Sequence, residues 1–502
     1  MRHFLVLSLS ILICLLTACA VGPDYVRPSA PVPCHYKEAK HQKIMGDKSH
    51  LWKIAEPQDA CQRGEWWRIF HDKKLNQLED QLNLANQSVI AAYANYRQAR
   101  AIVDEARANY FPTLSGSLSV LRQKGTGSSA FISNSSSGSS SGIATTSTAG
   151  GSRVFSTHSW ILDASWEPDL WGLVRRTVEA DVASAQASAA LMAVTQLSAQ
   201  ASLAQYYYQL RYLDTDQKIL DETVASYKQA LQLTKNQYRS GVAAQADIVQ
   251  AQSLLESAQA LAINNGINRA VFEHAIAVLI GVPPANFCLP FHPLRGNPPP
   301  IPLSVPSCLL ERRPDIAQAE RLIAQANAQI GVATAAYFPT ITLTGTANST
   351  VNNAGLSQLF TLPTLGWSYG PQISQLIFDG GLRAATIAAA RAGYDSTVAS
   401  YRQTVLAAFQ DVEDNLATLR ILNREIIVQR QAVASAEKAL MLVINQYKAG
   451  TVAYSSVITA QINAFTAKKT AADVAGQRMT AAVGLVKALG GGWDQCKIRC
   501  LE

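Results

Sequence analysis

The chain contains much of itself twice, and that repeat limits its fold more than any other feature. Ala108-Asn109-Tyr110-Phe111-Pro112-Thr113-Leu114 returns 227 residues later as Ala335-Ala336-Tyr337-Phe338-Pro339-Thr340-Ile341. Gln237-Tyr238-Arg239-Ser240-Gly241 returns as Gln446-Tyr447-Lys448-Ala449-Gly450 at an offset of only 209. The 18-residue difference falls before Gly172 of the first copy, where a Ser/Gly-rich stretch runs from Gly125 to Gly151. Polar, low-complexity insertions are tolerated in exposed loops, where added length costs little closure entropy. Any acceptable fold is therefore two similar units, one of them carrying a long loop.

Each copy changes periodicity along its length. After Pro112, Leu114, Leu118 and Val120 alternate with Thr113, Ser115, Ser117 and Ser119; after Pro339, Ile341, Leu343, Gly345 and Ala347 alternate with Thr340, Thr342, Thr344 and Thr346. A second alternating run follows in each copy, with Trp160, Leu162, Ala164 and Trp166 in the first and Trp367, Tyr369 and Ile373 in the second. Period two means strand, so each copy is predicted to hold one hairpin. Strands of about ten residues with Trp and Tyr near their ends suit an outer-membrane barrel, and a half-buried soluble sheet gives the same alternation.

Past Gly172 and Gly381 the period becomes helical. Leu203, Tyr206, Leu210, Leu213, Leu220, Val224, Tyr227, Leu231, Thr234 and Tyr238 follow three-four spacing, matched 209 residues on by Val412, Leu419, Leu422, Ile426, Val433, Leu440, Val443 and Tyr447. Each stretch runs 69 residues to Gly241 or Gly450 without proline, on the order of 100 Å at about 1.5 Å per residue. Small side chains at Ala183, Ala185, Ala187, Ala189 and Ala190 permit close helix approach. A long coiled coil accounts for the seam, but not for equal lengths with hairpins attached. If the strands enter a membrane, four per chain cannot close a barrel, since bacterial barrels start at about eight, and oligomerisation follows.

Residues 1–18 read as a signal peptide, with Arg2 ahead of an apolar run from Phe4 to Leu16 that is too short for a mature span. Leu16-Thr17-Ala18-Cys19 resembles the bacterial lipobox, which predicts acylation of Cys19. Acyl chains contribute about 0.8 kcal/mol per buried methylene, so a multiply acylated, palmitate-bearing Cys19 is held firmly at a bilayer. Six further cysteines, Cys34, Cys61, Cys288, Cys308, Cys496 and Cys500, would meet an oxidising compartment. Pairing between sequence neighbours is one of several connectivities open to them.

Catalytic signatures are weak. Gly138-Ser139-Ser140-Ser141-Gly142 matches a nucleophile elbow but sits in low-complexity sequence without strand-to-helix context. The eight histidines show no metal-ligand spacing, and Asp169 and Asp379, beside glycines at the strand-to-helix junctions, read as turn and cap residues. No basic run suggests nucleic acid. The expectation is a protein that is not an enzyme, with no metal and no cofactor beyond the lipid on Cys19.

Cys19-Ala20-Val21-Gly22-Pro23-Asp24-Tyr25, Trp66-Trp67-Arg68-Ile69-Phe70, both Tyr-Phe-Pro sites, Asp169-Leu170-Trp171-Gly172, Glu311-Arg312-Arg313-Pro314-Asp315-Ile316, Phe378-Asp379-Gly380-Gly381 and the two Gln-Tyr-basic-x-Gly sites resemble, in order and spacing, the TolC family of outer-membrane efflux proteins. The likeness is to its lipoprotein (NodT-type) branch, which serves resistance-nodulation-division pumps. It implies an α+β membrane protein: a trimeric outer-membrane β-barrel with four strands per chain, continued by a long periplasmic α-helical tunnel. It also implies a passive duct exporting drugs or toxic compounds from periplasm to exterior, working with a periplasmic adaptor and an inner-membrane pump. Ducts of this shape also carry polypeptides or metal ions, and a lipid-anchored scaffold without a pore is the third reading.

By this resemblance the chain divides into a signal peptide (1–18), a lipid-anchored N-terminal equatorial segment (19–70), a first repeat (71–281), a Pro-rich connector (282–315), a second repeat (316–489) and a C-terminal tail (490–502). Gly241, Val242, Gly450 and Thr451 would form the tips that an adaptor contacts. Asp247, with Ser456 and Thr459 in the second copy, would stand at the pore constriction, giving a sparser acidic ring than relatives carry. Ala20 after the lipidated cysteine implies sorting to the outer membrane.

Overall fold

The computed structural model describes residues 20–33, 36–39, 64–125, 153–301, 312–352 and 356–491. Cys19, most of the Ser/Gly-rich stretch, Cys34, Cys61, Cys308 and the tail with Cys496 and Cys500 lie outside them; Cys288 is exposed and has no disulfide partner among the described residues. In chain order the elements are α1 (Lys73–Ala85), α2 (Gln87–Ala108), β1 (Thr113–Gly125), β2 (Arg153–Trp166), α3 (Leu173–Arg239) and α4 (Gln245–Leu279), then α5 (Pro314–Ala335), β3 (Thr340–Asn352), β4 (Leu365–Ser374), α6 (Leu382–Lys448) and α7 (Tyr454–Ala488).

The repeat is carried element by element. The helices α3 and α6 each have 67 residues and α4 and α7 each have 35, all at the offset of 209. The preceding helices α2 and α5 have 22 residues each, at the offset of 227. The first copy adds α1, which ends at Asn86; that side chain accepts Val89 N–H at 3.0 Å to restart the helix and donates to the Leu279 carbonyl at 2.7 Å.

Asp169 and Asp379 start the long helices, as the sequence predicts. The Asp169 carboxylate accepts Val174 and Arg175 N–H at 3.1 and 2.7 Å, and Asp379 accepts Gly381 and Arg383 N–H at 3.0 and 3.2 Å. Carboxylates here satisfy orphan amides and complement the helix dipole. The Arg383 side chain also donates to Asp379 at 2.5 Å, which lowers the Asp379 carboxyl from its ordinary range together with the Gly381 amide.

By compactness the chain forms two units. The first comprises Met1–Tyr25, Ile102–Asp181 and Asn327–Ala392 and holds the strands. The sequence predicts one hairpin per copy; the structure adds an antiparallel β2–β3 pairing, so the hairpins merge into a single four-stranded sheet of order β1-β2-β3-β4. In this unit the N-terminal strap crosses at Gly22 (φ +103°), where a Cβ would lie 2.5 Å from the Gly331 Cα. Arg176, buried, clamps it by donating to the Val21 and Gly22 carbonyls at 3.2 Å each and to Asp24 at 2.9 Å.

The second unit comprises Val26–Ala101, Val182–Ala326 and Gly393–Glu502. Its core includes Trp66, Trp67, Leu75, Leu78, Leu82, Leu203 and Leu210, and the alanines at 183, 185, 187 and 190 are buried as close approach demands. The described part of the connector is held by a buried ionic network. Asp214 accepts from Arg211 at 2.9 Å, Arg269 at 2.8 Å and His292 N–H at 2.9 Å, while Arg269 also donates to the Leu289 carbonyl at 2.7 Å. Elsewhere in this unit, Glu79 on α1 is fully buried with both carboxylate oxygens unpartnered; burial, with Asp80 adding, pushes its carboxyl well above the ordinary range.

Candidate functional site

Two regions have the geometry of a working surface: the sheet and the helix tips. Register sorts the sheet's faces. Leu114 pairs with Ala164, Leu118 with Trp160, and Val120 with His158. Ala164 pairs with Gly345 and Leu162 with Ala347, and these meet Tyr369 and Trp367. Directly paired residues share a face, so the apolar half of every alternating run lies on one side. Ser115, Ser117, Asp163, Ser165, Thr344, Thr346 and Ser368 occupy the other, which also carries the apolar Leu121 and Ile161. On that polar side Thr346 donates to Asp163 at 3.0 Å.

The apolar face is exposed, with Leu114 at 68%, Trp367 at 70% and Tyr369 at 80%. Trp367 and Tyr369 stack with centroids 5.7 Å apart. At the strand bases, Trp166 donates to the Tyr110 carbonyl at 2.9 Å and Trp171 to the Pro339 carbonyl at 2.7 Å while stacking on Phe338 at 4.9 Å. The repeated Tyr-Phe-Pro motif thus supplies carbonyls and rings to an indole belt, the side-chain type enriched where a barrel meets headgroups. Among the described residues, β1 and β4 each pair with a single strand, so both sheet edges present unpaired backbone. A sheet so exposed on face and edges is not a finished soluble surface. No described helix is long and apolar enough to cross a membrane.

The tips are built alike. Gly241 (φ +77°) and Gly450 (φ +75°) take the left-handed conformation that ends α3 and α6. Val242 N–H donates to the Gln237 carbonyl at 2.9 Å and Thr451 N–H to the Gln446 carbonyl at 3.0 Å, the longer bond of a Schellman cap in each. Nothing lies within 4 Å of a Cβ built on either glycine, so their surroundings are open.

Beyond the turns the copies diverge. Asp247 stands at the third position of α4 and accepts Ala244 N–H at 3.1 Å, so its carboxylate caps its own helix. Ser456 occupies the matching position of α7, and the Thr459 hydroxyl donates to the Ser455 carbonyl at 3.0 Å. Tyr447 and Tyr454, with centroids 5.3 Å apart, pack with Ala251 and Val457, whereas the first-copy counterpart Tyr238 is 45% exposed. Burial pushes both packed phenols up, and the Asp247 carboxylate adds to the rise. Sequence reasoning found the tip glycines from the motif but missed the Tyr447–Tyr454 pair, because position 245, the counterpart of Tyr454, is a glutamine.

An amphipathic antiparallel sheet with open edges, joined to paired helices of 67 and 35 residues, defines a class of envelope channel proteins. The chain belongs to the outer membrane efflux protein family, whose model matches residues 78–282 and 305–491; it is an outer-membrane efflux channel. It is 30% identical over 490 residues to a probable efflux pump outer membrane protein, TtgC, of Pseudomonas putida, covering 97% of this chain and 95% of the relative. It is 28% identical to the cation efflux system protein CusC of Escherichia coli, over 96% of this chain and 97% of that one. Among solved structures it resembles the outer-membrane channel OprN, with a TM-score of 0.79 at 28% identity, covering 95% of this chain and all of that one. It also resembles the open state of the MtrE channel of Neisseria gonorrhoeae, with a TM-score of 0.75 at 28% identity, covering 94% and 98%.

Proposed function

We propose that three copies of this chain form a lipid-anchored duct that passes small toxic molecules out of the cell and catalyses no reaction. The observation that carries this reading is the four-stranded sheet with one apolar face and two open edges. Backbone groups at such edges cannot be left unpaired in hydrocarbon, and three sheets joined edge to edge give a closed barrel of twelve strands with polar residues inside. The Arg176 clamp on the strap that follows Cys19 suits an acylated cysteine held beside the strand bases.

Gly241-Val242 and Gly450-Thr451 are the contact points for a periplasmic adaptor, which links the duct to an inner-membrane pump. The relatives' names span toluene, antibiotic and cation efflux, which fits a duct whose cargo is chosen by the pump; drugs and toxic organic compounds are the favoured cargo. Asp247, Ser456 and Thr459 stand at the constriction. Since Asp247 also caps α4, the closed tip binds divalent cations weakly and relies on apolar and hydroxyl contacts.

Deleting the gene for this chain should raise sensitivity to aromatic solvents and antibiotics. Val242→Arg with Thr451→Arg should fail to restore resistance and should lose adaptor on co-purification, while the purified variant still forms trimers. If that variant restores resistance fully, the tips are not the docking points.

A further inference from the structure

The second unit contains one charged cluster twice, and only the first copy of it is neutral. There Arg211 and Arg269 meet two carboxylates. Asp214 accepts from Arg211 Nη1 at 2.9 Å and from Arg269 Nε at 2.8 Å, and Glu273 accepts from Arg269 Nη1 at 3.0 Å and from Leu289 N–H at 2.5 Å. The offset of 209 carries these four positions to Arg420, Asn423, Arg478 and Ala482, so both arginines persist and both carboxylates are gone.

The second copy recovers one carboxylate from elsewhere in the chain, since Glu38 accepts from Arg420 Nη2 at 2.5 Å. Arg478 recovers none among the described residues. Its side chain is buried, and its two acceptors are neutral: Asn423 Oδ1 at 2.9 Å from Nε, and Asn297 Oδ1, from the connector, at 3.3 Å from Nη1. The matching Nη2 of Arg269 donates to the Leu289 carbonyl at 2.7 Å, whereas Nη2 of Arg478 has no acceptor among the described residues. Burial, with the nearby Arg430 adding, pushes the Arg478 guanidinium down from its ordinary value. Two arginines face two carboxylates in the first copy, and two face only Glu38 in the second, which leaves one buried positive charge. Buried charge without a counter-ion is costly.

We propose that Arg478 binds a small monovalent anion, chloride or a simple carboxylate, in the role that Asp214 and Glu273 fill beside Arg269. One negative charge neutralises the cluster, and a guanidinium fork offers parallel donors to such an anion. Fully buried Ala482 lacks the arm that brings the Glu273 carboxylate onto Arg269, so the second copy takes its counter-charge from solution. The anion would tie α6 and α7 to the connector through Asn423, Arg478 and Asn297. All these residues belong to one chain and one compact unit, so the site stands apart from how chains assemble.

The test is thermal melting of purified full-length protein, with gluconate, a bulky anion, exchanged for chloride or for formate at constant ionic strength. The melting midpoint should rise and saturate in at least one small anion, by about 3 °C at roughly a hundredfold excess over Kd. A rise with chloride alone assigns a halide, and a rise with formate alone assigns a carboxylate. Arg478→Gln should abolish the rise. Asn423→Asp gives the second copy the carboxylate that Asp214 supplies in the first, so it should melt in gluconate as high as the parent does in the small anion and should no longer respond to it. That variant keeps the proposal testable if Arg478→Gln does not fold. A parent midpoint indifferent to both small anions, or a full response that survives in Asn423→Asp, overturns the site.

Discussion

At the residue scale, the groups that cost stability differ from those that serve the duct. Glu79 holds a proton in the folded chain that the unfolded chain releases above about pH 4.3, because burial and Asp80 raise its carboxyl. The folded state then binds more protons than the unfolded one, so stability falls as pH rises from there toward the raised value. Glu79→Gln should therefore melt higher than the parent at pH 8, with the gap closing near pH 4; a lower melting midpoint at pH 8 would contradict the assignment. At the tips, Gly241→Ala meets open space, so its cost is confined to the left-handed backbone, about 1 kcal/mol, and thermal melting should barely move. If the proposed constriction lies at these residues, Ser456→Asp with Thr459→Asp should strengthen block of single-channel current by periplasmic-side divalent cations. Tight block in the parent that survives Asp247→Asn would place the acidic ring elsewhere.

At the element scale, the two copies act as controls for each other. Asp214 is fully buried between Arg211 and Arg269, whereas the second copy has Asn423 between Arg420 and Arg478 at the matching positions. Asp214→Asn should cost about 3 kcal/mol, because it leaves buried arginine charge uncompensated. Chemical denaturation would measure it, and a loss below about 1 kcal/mol, the net worth of an ordinary hydrogen bond, would show that Glu273 alone suffices. Strand alternation, helix lengths and the Asp169 and Asp379 caps were legible in the sequence because each is a local pattern with a local cause. The β2–β3 pairing was not, since it joins residues such as Leu162 and Ala347 that no local pattern connects. The Asp214 network was hidden for the same reason: its partners Arg269 and His292 lie 55 and 78 residues away.

At the scale of the whole molecule, the tips were found through a repeated glycine motif, while the asymmetry around Tyr447 and Tyr454 needed packing to become visible. The sheet has an exposed apolar face and two open edges, which the proposed closure of several chains around water would cover. Reconstitution of the purified full-length protein in a planar bilayer tests that closure. Discrete single-channel conductance steps are expected from a species that is trimeric by native mass, with Asp163→Lys on the polar strand face shifting ion selectivity toward anions. A trimer that never conducts, or conductance indifferent to charge at Asp163, would contradict it.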